Sequence, residues 1–451
     1  MTAFSTANKM GHKAKSHVSL EDVELTPEFL RAFELMEQTN RNIFITGKAG
    51  TGKSTLLRYF REKTKKNIAV VAPTGIAAIN VEGQTIHSFL RLPPRFIQKE
   101  DIRRFTKNRK VIERLDALVI DEVSMVRADL MDGIDYTLRL NRGKPKIPFG
   151  EVQVILFGDL FQLPPVVDRD MAEIFEHRYR TPYFFSADVI RQVEFECLEL
   201  TKIYRQSEAS FIELLNRIRD KRFDQSDLDR LNEKVISQEL AQDGDLIMLT
   251  ATNQRASEIN QTRLRALPGR SFQYQASVTG EFEESLYPND PALILKKGAQ
   301  VMLIKNDANK RWFNGTIGYI EHLTDHTVTV SIDGKSYDVP KAVWKKIRYA
   351  YDENIDRIEA KEIGSFEQHP IKLAWAITIH KSQGQTFDNV LIELGNRAFA
   401  HGQVYVALSR CTNFSGLKLR RPVVPSDIIF DERILEFRRQ SSLSDAYSDV
   451  Q

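Results

Sequence analysis

Residues 44–55 read FITGKAGTGKST and contain the clearest chemical signal in the chain. Gly47, followed five residues later by Gly52-Lys53-Ser54, matches the spacing of a phosphate-binding P-loop. Glycines let such a loop turn its N–H groups inward, and a helix beginning at Lys53 adds the partial positive charge of its N-terminus. Lys53 is predicted to contact the β- and γ-phosphates of a nucleoside triphosphate, and Ser54 to hold Mg²⁺. The predicted nucleotide-binding residues are Gly47, Lys48, Ala49, Gly50, Thr51, Gly52, Lys53, Ser54 and Thr55.

Two further apolar runs end in polar residues that suit phosphate chemistry. LVIDEVSM places Asp121 and Glu122 directly after a predicted strand, and VQVILFGDLFQLPPV places Gln162 after another. The carboxyl ends of parallel strands meet at the ligand crevice of an α/β sheet. We therefore expect Asp121 to hold Mg²⁺ through water, Glu122 to polarise an attacking water, and Gln162 to contact the γ-phosphate. The alternative for each is a solvated strand end or loop residue.

The elements that position these residues follow an α/β pattern. From about 22 to 193, the strand-like runs NIFIT, IAVVAP, ALVIDE and VQVILFGD are separated by enough chain for a helix. A second set, FECLELT, DLIMLTA, KLAWAIT and NVLIEL, begins near 194. Alternation of this kind is typical of parallel sheets covered by helices. The pattern predicts two similar α/β domains, the second assembled from separated segments.

Composition bounds the class of protein. The 451 residues are enough for two or three domains, and 42% hydrophobic with 28% charged residues is ordinary for a globular chain. A net charge of +3 predicts that any nucleic-acid site is a local feature rather than a general basicity. Two cysteines exclude a disulfide framework beyond a single bridge and fit a reducing compartment. No apolar run approaches the ~20 residues of a membrane span.

Two insertions interrupt the alternation. Residues 91–114 carry nine Lys or Arg against three acids, which suits either a solvated helical face or a nucleic-acid contact. Residues 312–362 read as all-β, with a hairpin in TVTVSIDGKSYDVP turning at Asp333-Gly334. This second insertion is predicted to be a small barrel-like module.

Eight segments occur in the order and form of superfamily-one helicase motifs. They are the P-loop, VVAPTGIAA, TIHSFL, VIDEVSM, GDLFQLPPV, LTKIYRQ, ITIHKSQGQTF and VYVALSRC, and they extend over roughly residues 25–419. The chain most resembles the Pif family of 5′→3′ DNA helicases, with RecD-type enzymes as close relatives. The resemblance implies two RecA-like motor domains, a wedge-type insertion at 91–114 and an SH3-like insertion at 312–362. It also implies ATP and Mg²⁺ as cofactors.

The resemblance assigns further roles. It implies that Arg205 and Arg410 reach across the cleft between the domains as arginine fingers, each able to contribute ~10³ or more in rate. Gln383 and Gly384 would couple the nucleotide to DNA. The implied DNA-binding residues are Thr74, Gly75, His87, Ser88, Phe89, Thr378, His380 and Lys381. Phosphate contacts combined with stacking suit single strands read without sequence preference, whereas His87 as a buried core residue stays an alternative.

One position departs from the family pattern. Phe29 stands where these helicases usually carry a glutamine that reads adenine, so we expect Phe29 to pack beside the base. The preference for ATP over other nucleotides stays open on this evidence.

The predicted domain boundaries are a disordered basic arm at 1–21, a first motor domain at 22–193, a second at 194–311 plus 363–436, and a disordered tail at 437–451. The expected function is ATP-dependent 5′→3′ translocation on single-stranded DNA with unwinding of duplexes, in replication, repair, recombination or telomere-type maintenance. G-quadruplexes and RNA–DNA hybrids stay open as further substrates. Expected partners are single strands and DNA junctions, without a membrane. We expect a monomer in solution, with a dimer on DNA as the alternative, and a cytoplasmic, nucleoid-associated location, or a nuclear or mitochondrial one in a eukaryote.

Three other functions stay open at this level. A P-loop small-molecule kinase would leave the second α/β domain and Arg410 without a role. A nonhydrolysing DNA-binding subunit would not need the full set of hydrolytic residues. A DNA-stimulated ATPase subunit of a RecD-like recombination complex is the nearest neighbour within the helicase interpretation.

Overall fold

The computed structural model describes residues 24–167, 169–206, 208–237 and 246–440. The predicted arm at 1–21 lies outside this range, as does the predicted tail from 441 onward. In the part of the chain that the structure describes, no helix is both long and apolar enough to cross a bilayer.

The first domain is a six-stranded parallel sheet with helices on both faces. Its strands are β1 (Asn42–Gly47), β2 (Ile68–Ala72), β3 (Gln84–Thr85), β4 (Ala117–Ile120), β5 (Gln153–Phe157) and β6 (Phe195–Leu200), in the order β3-β2-β4-β5-β1-β6. Its helices are α1 (Pro27–Gln38), α2 (Lys53–Lys63), α3 (Gly75–Asn80), α4 (Ile86–Leu90), α5 (Arg109–Glu113), α6 (Ala128–Arg142) and α7 (Arg169–Arg178). β1, β4 and β5 are almost entirely buried, as expected for strands covered on both faces.

One strand differs from the sequence expectation. FECLELT was expected to open the second domain, but β6 pairs in parallel with β1 over six residue pairs and completes the first sheet. The difference arises because a short apolar run does not specify which strand it pairs with. β6 lies beside the strand that precedes the P-loop.

The second domain begins with α8 (Ala209–Arg219), α9 (Gln225–Asn232), β7 (Ile247–Thr250) and α10 (Asn253–Ala266). The antiparallel strands that follow are β8 (Phe272–Gln275), β9 (Ser277–Gly280), β10 (Ala292–Leu295), β11 (Gln300–Leu303), β12 (Ile317–Leu323), β13 (Val328–Ile332), β14 (Lys335–Asp338), β15 (Ala342–Asp352), β16 (Arg357–Gln368) and β17 (Ile371–Leu373). The chain returns to the second domain with β18 (Ala376–Thr378), β19 (Val390–Glu393), α11 (Gln403–Leu408), β20 (Leu417–Leu419) and α12 (Glu432–Gln440). The four strands of this domain are parallel, in the order β18-β7-β19-β20.

The two parallel sheets confirm the expected fold class of two RecA-like domains with an all-β insertion. The antiparallel region extends beyond the expected 312–362, because a five-stranded sheet also includes β11 and β17. A second sheet pairs the long hairpin of β15 and β16 with β9. α12 continues to residue 440, past the start of the expected tail.

The β15–β16 hairpin lies against the first domain. Tyr349 is buried. Its side-chain hydroxyl accepts a hydrogen bond from the Val70 N–H at 3.0 Å, and the backbone N–H of Tyr349 donates to Gln84 Oε1 at 3.2 Å. Near the hairpin tip, the Ile358 N–H donates to Asn67 Oδ1 at 3.0 Å. The all-β insertion therefore contacts both motor domains in this structure.

Candidate nucleotide site and nucleic-acid interface

The P-loop connects β1 to α2 and faces the second domain. Lys53 Nζ donates to the carbonyl oxygens of Gly47 at 2.6 Å and Lys48 at 3.0 Å, which keeps the ammonium against the loop backbone. Burial lowers the pKa of Lys53, and the negative charges of Asp159 and Glu122 oppose that shift. The structure therefore brings the predicted lysine and its loop into one enclosed cationic site.

The second domain and the segment that joins β6 to α8 both contact the P-loop directly. The Ala49 N–H donates to the Tyr405 hydroxyl of α11 at 3.1 Å, and the Tyr204 N–H donates to the Gly50 carbonyl at 2.8 Å. Gly50 has a φ of +84°, and a methyl group there would overlap the side chain of Arg205. Only glycine permits this close approach without strain.

The acidic pair lies at the carboxyl end of β4. Burial, and then the neighbouring charge of Glu122, raise the pKa of Asp121 to about 7; burial also raises the pKa of Glu122, against the attraction of Lys53. Glu122 adopts a left-handed backbone conformation, with φ 51° and ψ 44°. This conformation costs a non-glycine residue about 1–2 kcal/mol and turns the chain sharply after Asp121.

This donor set fits a magnesium ion. Mg²⁺ prefers oxygen ligands and is commonly bound by one or two carboxylates together with waters and substrate phosphates. Burial, and then the charge of Glu122, disfavour the ionised form of Asp121 and raise its pKa, and a divalent cation bound there would oppose both effects. Ser54, at the exposed first turn of α2, and Asp121 are the residues that would hold the ion.

Arg410 is the largest fully buried side chain in the described structure, at 1% exposure. Its guanidinium donates to the backbone oxygens of Val406 at 3.0 Å, Ser382 at 3.3 Å and Gln385 at 3.3 Å. Burial lowers the pKa of Arg410 to about 10, and Glu122 opposes the shift, so the group stays cationic at neutral pH. A buried guanidinium held by neutral carbonyls, with no carboxylate ion pair among the described residues, is suited to an anionic ligand.

Arg205 lies beside the same site. Its Nη1 contacts the Ser409 carbonyl at 3.4 Å, and burial, followed by repulsion from Arg410, lowers the pKa of Arg205 to about 9. Two mutually repelling cations therefore lie close to Glu122 and the P-loop. The geometry brings together the two arginines that the sequence assigned to the cleft.

Gln383 and Gly384 form the turn that Arg410 contacts on both sides. The carbonyls of Ser382 and Gln385 that accept from Arg410 flank this pair. Gly384 has a φ of +76°, and the buried amide nitrogen of Gln383 has no hydrogen-bond partner among the described residues. Arg410 thus connects this turn, which the resemblance assigns to coupling, to the nucleotide site.

The predicted DNA-contacting residues of the first domain divide into two groups. Thr74 caps α3 by accepting from the Ala77 N–H at 3.2 Å, Gly75 follows it at the start of the helix, and Ser88 is exposed. Phe89, by contrast, is 7% exposed and packs edge-to-face on Tyr349 at 5.6 Å between ring centroids. The Phe89 ring thus faces the β15–β16 hairpin, which favours a supporting role over stacking on a base, and its part in DNA binding stays a prediction.

His87 is intermediate in exposure between Ser88 and Phe89. Its Nε2 is buried without a hydrogen-bond partner in the described structure, and burial lowers the pKa of the ring, with Arg127 adding to the effect. A neutral, half-buried imidazole fits both alternatives, a supporting core residue and a DNA contact.

The predicted DNA-contacting residues of the second domain lie at the end of β18 and directly after it. Thr378 is 4% exposed, and its hydroxyl accepts from the Lys381 N–H at 3.2 Å, which fixes the turn. Lys381 is exposed, and His380 is half-buried with a pKa lowered by burial. Of the three, Lys381 presents a cation to solvent.

Two aromatic residues, Phe29 and Tyr204, bear on the prediction of a position for the nucleotide base. Phe29 is 6% exposed and packs edge-on against Tyr59 at 5.4 Å in the first-domain core, so its placement beside a base stays a prediction. Tyr204 was not singled out from the sequence, although it immediately precedes Arg205. It is 37% exposed, and a methyl group on Gly52 would meet its ring at 3.7 Å. Tyr204 is therefore an aromatic side chain that, like Tyr405, lies beside the P-loop.

The basic insertion is fixed to α6 of the first domain. Asp129 Oδ2 accepts from the Ile97 N–H at 2.9 Å, and Asn141 Oδ1 accepts from the Phe105 N–H at 2.7 Å. Asp129 and Asn141 are both 1% exposed. These contacts hold the insertion while leaving its cations Arg103, Arg104 and Lys107 exposed.

A P-loop domain faces a second parallel-sheet domain, and Arg410 of that domain together with Arg205 of the joining segment lies close to the acidic pair. This arrangement defines a two-domain, nucleotide-driven motor of the helicase class. Comparison with known proteins agrees. The model of the PIF1-like helicase family matches residues 28–229. The chain is 32% identical to the ATP-dependent DNA helicase Pif1 of Bdellovibrio bacteriovorus, over 93% of each chain. It is 34% identical to the human ATP-dependent DNA helicase PIF1 over 90% of its own length, and spans 62% of the human protein.

Solved structures give the same result. The Pif1 of a Bacteroides species in complex with ADP-AlF4 aligns with a TM-score of 0.88 at 38% identity, covering 94% of this chain and 98% of that one. The same Bacteroides protein bound to single-stranded DNA aligns with a TM-score of 0.67. The chain belongs to the PIF1-like helicase family.

Proposed function

We propose that this protein is an ATP-dependent DNA helicase that translocates 5′→3′ along single strands and unwinds duplexes. The observation that carries the proposal is the composite nucleotide site, in which Arg410 of the second domain and Arg205 of the segment joining β6 to α8 lie close to the P-loop and Glu122 of the first domain. A site built from two domains ties hydrolysis to domain movement. The ADP-AlF4 and single-stranded DNA complexes of the Bacteroides relative support the same pairing of ligands.

Each site residue has a role in hydrolysis under this proposal. Lys53 and the P-loop amides bind the β- and γ-phosphates, while Ser54 and Asp121 hold Mg²⁺, which supplies positive charge to the phosphates. Glu122 orients and deprotonates the attacking water, and its raised pKa makes it a better proton acceptor than an exposed carboxylate. Arg205 and Arg410 stabilise the charge that develops on the transferred phosphoryl group.

Under this proposal, translocation results because the two domains bind the DNA strand tightly in turn. Closure of the cleft on ATP and its opening after hydrolysis change the distance between the DNA-contacting segments after β2 and after β18. Thr74 and Lys381 mark these segments on the two domains. The exposed cations of the basic insertion are placed to contact DNA phosphates during strand separation. The polarity rests on family membership rather than on any single contact. We further propose a monomer in solution.

The test measures ATP hydrolysis with and without a single-stranded oligonucleotide, then unwinding of duplexes with either a 5′ or a 3′ tail. Strong stimulation together with unwinding of only the 5′-tailed duplex is the expected result. Unwinding of the 3′-tailed duplex would contradict the polarity. Absence of stimulation would contradict the motor and favour the kinase alternative. Lys53→Ala serves as the control for contaminating ATPase.

A further inference from the structure

A short loop after β5, residues Asp159–Gln162 and here called the sensor loop, is held by the second domain. Arg219, the last residue of α8, donates from Nη2 to Asp159 Oδ1 at 3.3 Å. The His401 ring places Nε2 3.1 Å from the Leu160 carbonyl oxygen. A methyl group on Gly402 would overlap the Phe161 carbonyl oxygen. Three second-domain residues thus touch a loop that contains the predicted γ-phosphate contact.

Arg219 is an integral part of the interior rather than a surface cation. Its side chain is 1% exposed, and carboxylate oxygens of Glu199 and Asp220 lie 3.9 and 3.3 Å from it in addition to Asp159. Its guanidinium carbon lies 4.0 Å from the centroid of the Phe161 ring. A buried guanidinium surrounded in this way has little freedom to change orientation.

The Asp159 carboxylate connects Arg219 to Gln162 through hydrogen bonds. Its Oδ1, which accepts from Arg219, also accepts from the Phe161 N–H at 3.1 Å, and its Oδ2 accepts from Gln162 Nε2 at 3.4 Å. The Gln162 N–H donates to the Asp159 carbonyl at 2.9 Å. One carboxylate therefore joins the second-domain cation to the amide of Gln162.

His401 and Gly402 reinforce the contact. His401 Nδ1 accepts from the Asp431 N–H at 3.0 Å, so the ring hydrogen lies on Nε2 and donates to Leu160. Gly402 has a φ of +68°, which together with the close approach to Phe161 restricts this position to glycine. α11, which carries Tyr405 to the P-loop, begins at the next residue.

We infer that Arg219 is a positioning residue for ATP hydrolysis, acting through Asp159 to orient Gln162 at the γ-phosphate. The inference rests on the proposed function. When the second domain moves, Arg219 carries the sensor loop with it, so that Gln162 is aligned in one arrangement of the domains and withdrawn in another. Arg219 itself touches no substrate in this account.

The test compares Arg219→Met and Arg219→Lys in the full chain. The measurements are kcat and KM for ATP with saturating single-stranded DNA, and the dissociation constant of a fluorescent nonhydrolysable ATP analogue. The expected result for Arg219→Met is a fall in kcat of at least tenfold with a dissociation constant within about threefold of the original, and partial recovery of kcat in Arg219→Lys. Arg139→Met is the matched control, because it removes a buried ion pair of 2.7 Å to Asp135 on α6 away from the cleft.

A second variant covers the case in which Arg219→Met does not fold. Gly402→Ala leaves every charge in place and displaces the sensor loop, so kcat is again expected to fall at least tenfold while analogue binding is retained. Gly395→Ala is its control, because Gly395 has nearly the same φ of +66° but no atom of the described residues lies within 4 Å of the added methyl position.

Unchanged kcat in Gly402→Ala and in folded Arg219→Met would overturn the inference. So would equal losses of kcat and analogue affinity, which indicate general damage to the site. These outcomes differ from a failure of the proposed function, which would appear in the unaltered protein as hydrolysis without DNA stimulation.

Discussion

Glu122→Gln is expected to separate nucleotide binding from hydrolysis. Glutamine preserves the volume and hydrogen-bonding oxygen of Glu122 but cannot accept a proton from water. General-base catalysis contributes about 10²–10⁴ in rate, or about 3–5 kcal/mol of barrier. We therefore expect kcat to fall by about 10²–10⁴ while ATP and DNA still bind, because Lys53, Ser54 and both arginines are unchanged.

The same substitution changes the electrostatics of Asp121. The pKa of Asp121 is raised first by burial and then by the charge of Glu122, so removing that charge lowers it. A raised native pKa means that the folded chain binds this proton more tightly than the unfolded chain. Stability contributed by the proton is therefore present at low pH and is lost as pH rises from about 4 to about 7. Glu122→Gln is expected to lose less stability across this window.

The assay follows single-turnover hydrolysis with excess protein and single-stranded DNA, DNA binding by fluorescence anisotropy, and Tm from pH 4 to 8. Glu82→Gln is the matched control, because Glu82 also has a left-handed backbone, with φ 48°, but is exposed. Hydrolysis within tenfold of the original rate would refute the assignment of Glu122 as the base. A Tm profile identical to that of the original chain would refute the electrostatic account of Asp121.

Three further substitutions address separate parts of the site. Lys53→Ala is expected to abolish turnover and to leave single-strand affinity at low salt within about threefold, measured by anisotropy; equal loss of both would contradict separate nucleotide and DNA sites. Arg410→Lys keeps the positive charge but loses the planar guanidinium with its fixed set of hydrogen-bond donors. In DNA-stimulated ATPase assays kcat is therefore expected to fall by about 10³. A near-normal rate would show that Arg410 has only a structural role. Tyr349→Phe removes the hydroxyl that accepts a hydrogen bond from the Val70 N–H. This loss is expected to weaken the contact between the β15–β16 hairpin and the first domain by about 1 kcal/mol and to accelerate hydrogen exchange of the Val70 amide. An unchanged exchange rate would show that the contact is not maintained in solution.

The parts of the candidate nucleotide site could be proposed from sequence because they are locally encoded. A P-loop has a fixed spacing, and Asp121 and Glu122 directly follow a strand whose carboxyl end must face the crevice. The family resemblance supplied Arg205 and Arg410, which no local pattern would have brought to the same cleft. The structure places all of these residues around one enclosed site.

The residues that sequence analysis missed depend on long-range packing. Arg219 lies in the helical pattern IELLNRIRDK, where an arginine is ordinarily a solvent-facing residue, and only the fold reveals the carboxylate of Asp159 beside it. The pairing of β6 with β1 and the burial of Phe89 under Tyr349 are contacts between distant segments. Binary patterns of apolar residues indicate that such groups are buried, but not against what.

The interruption of the second parallel sheet has a consequence for the order in which the chain folds. The first parallel strand with which β7 can pair is β18, which is synthesised more than a hundred residues later. The intervening hairpins are local in sequence and can form during that delay. Their ends meet where β11 pairs with β17, and Gln300 then donates to the carbonyls of Leu246 at 2.9 Å and Ala374 at 3.0 Å. The insertion thereby brings the two halves of the motor sheet together, so its early folding lowers the entropic cost of closing the second domain.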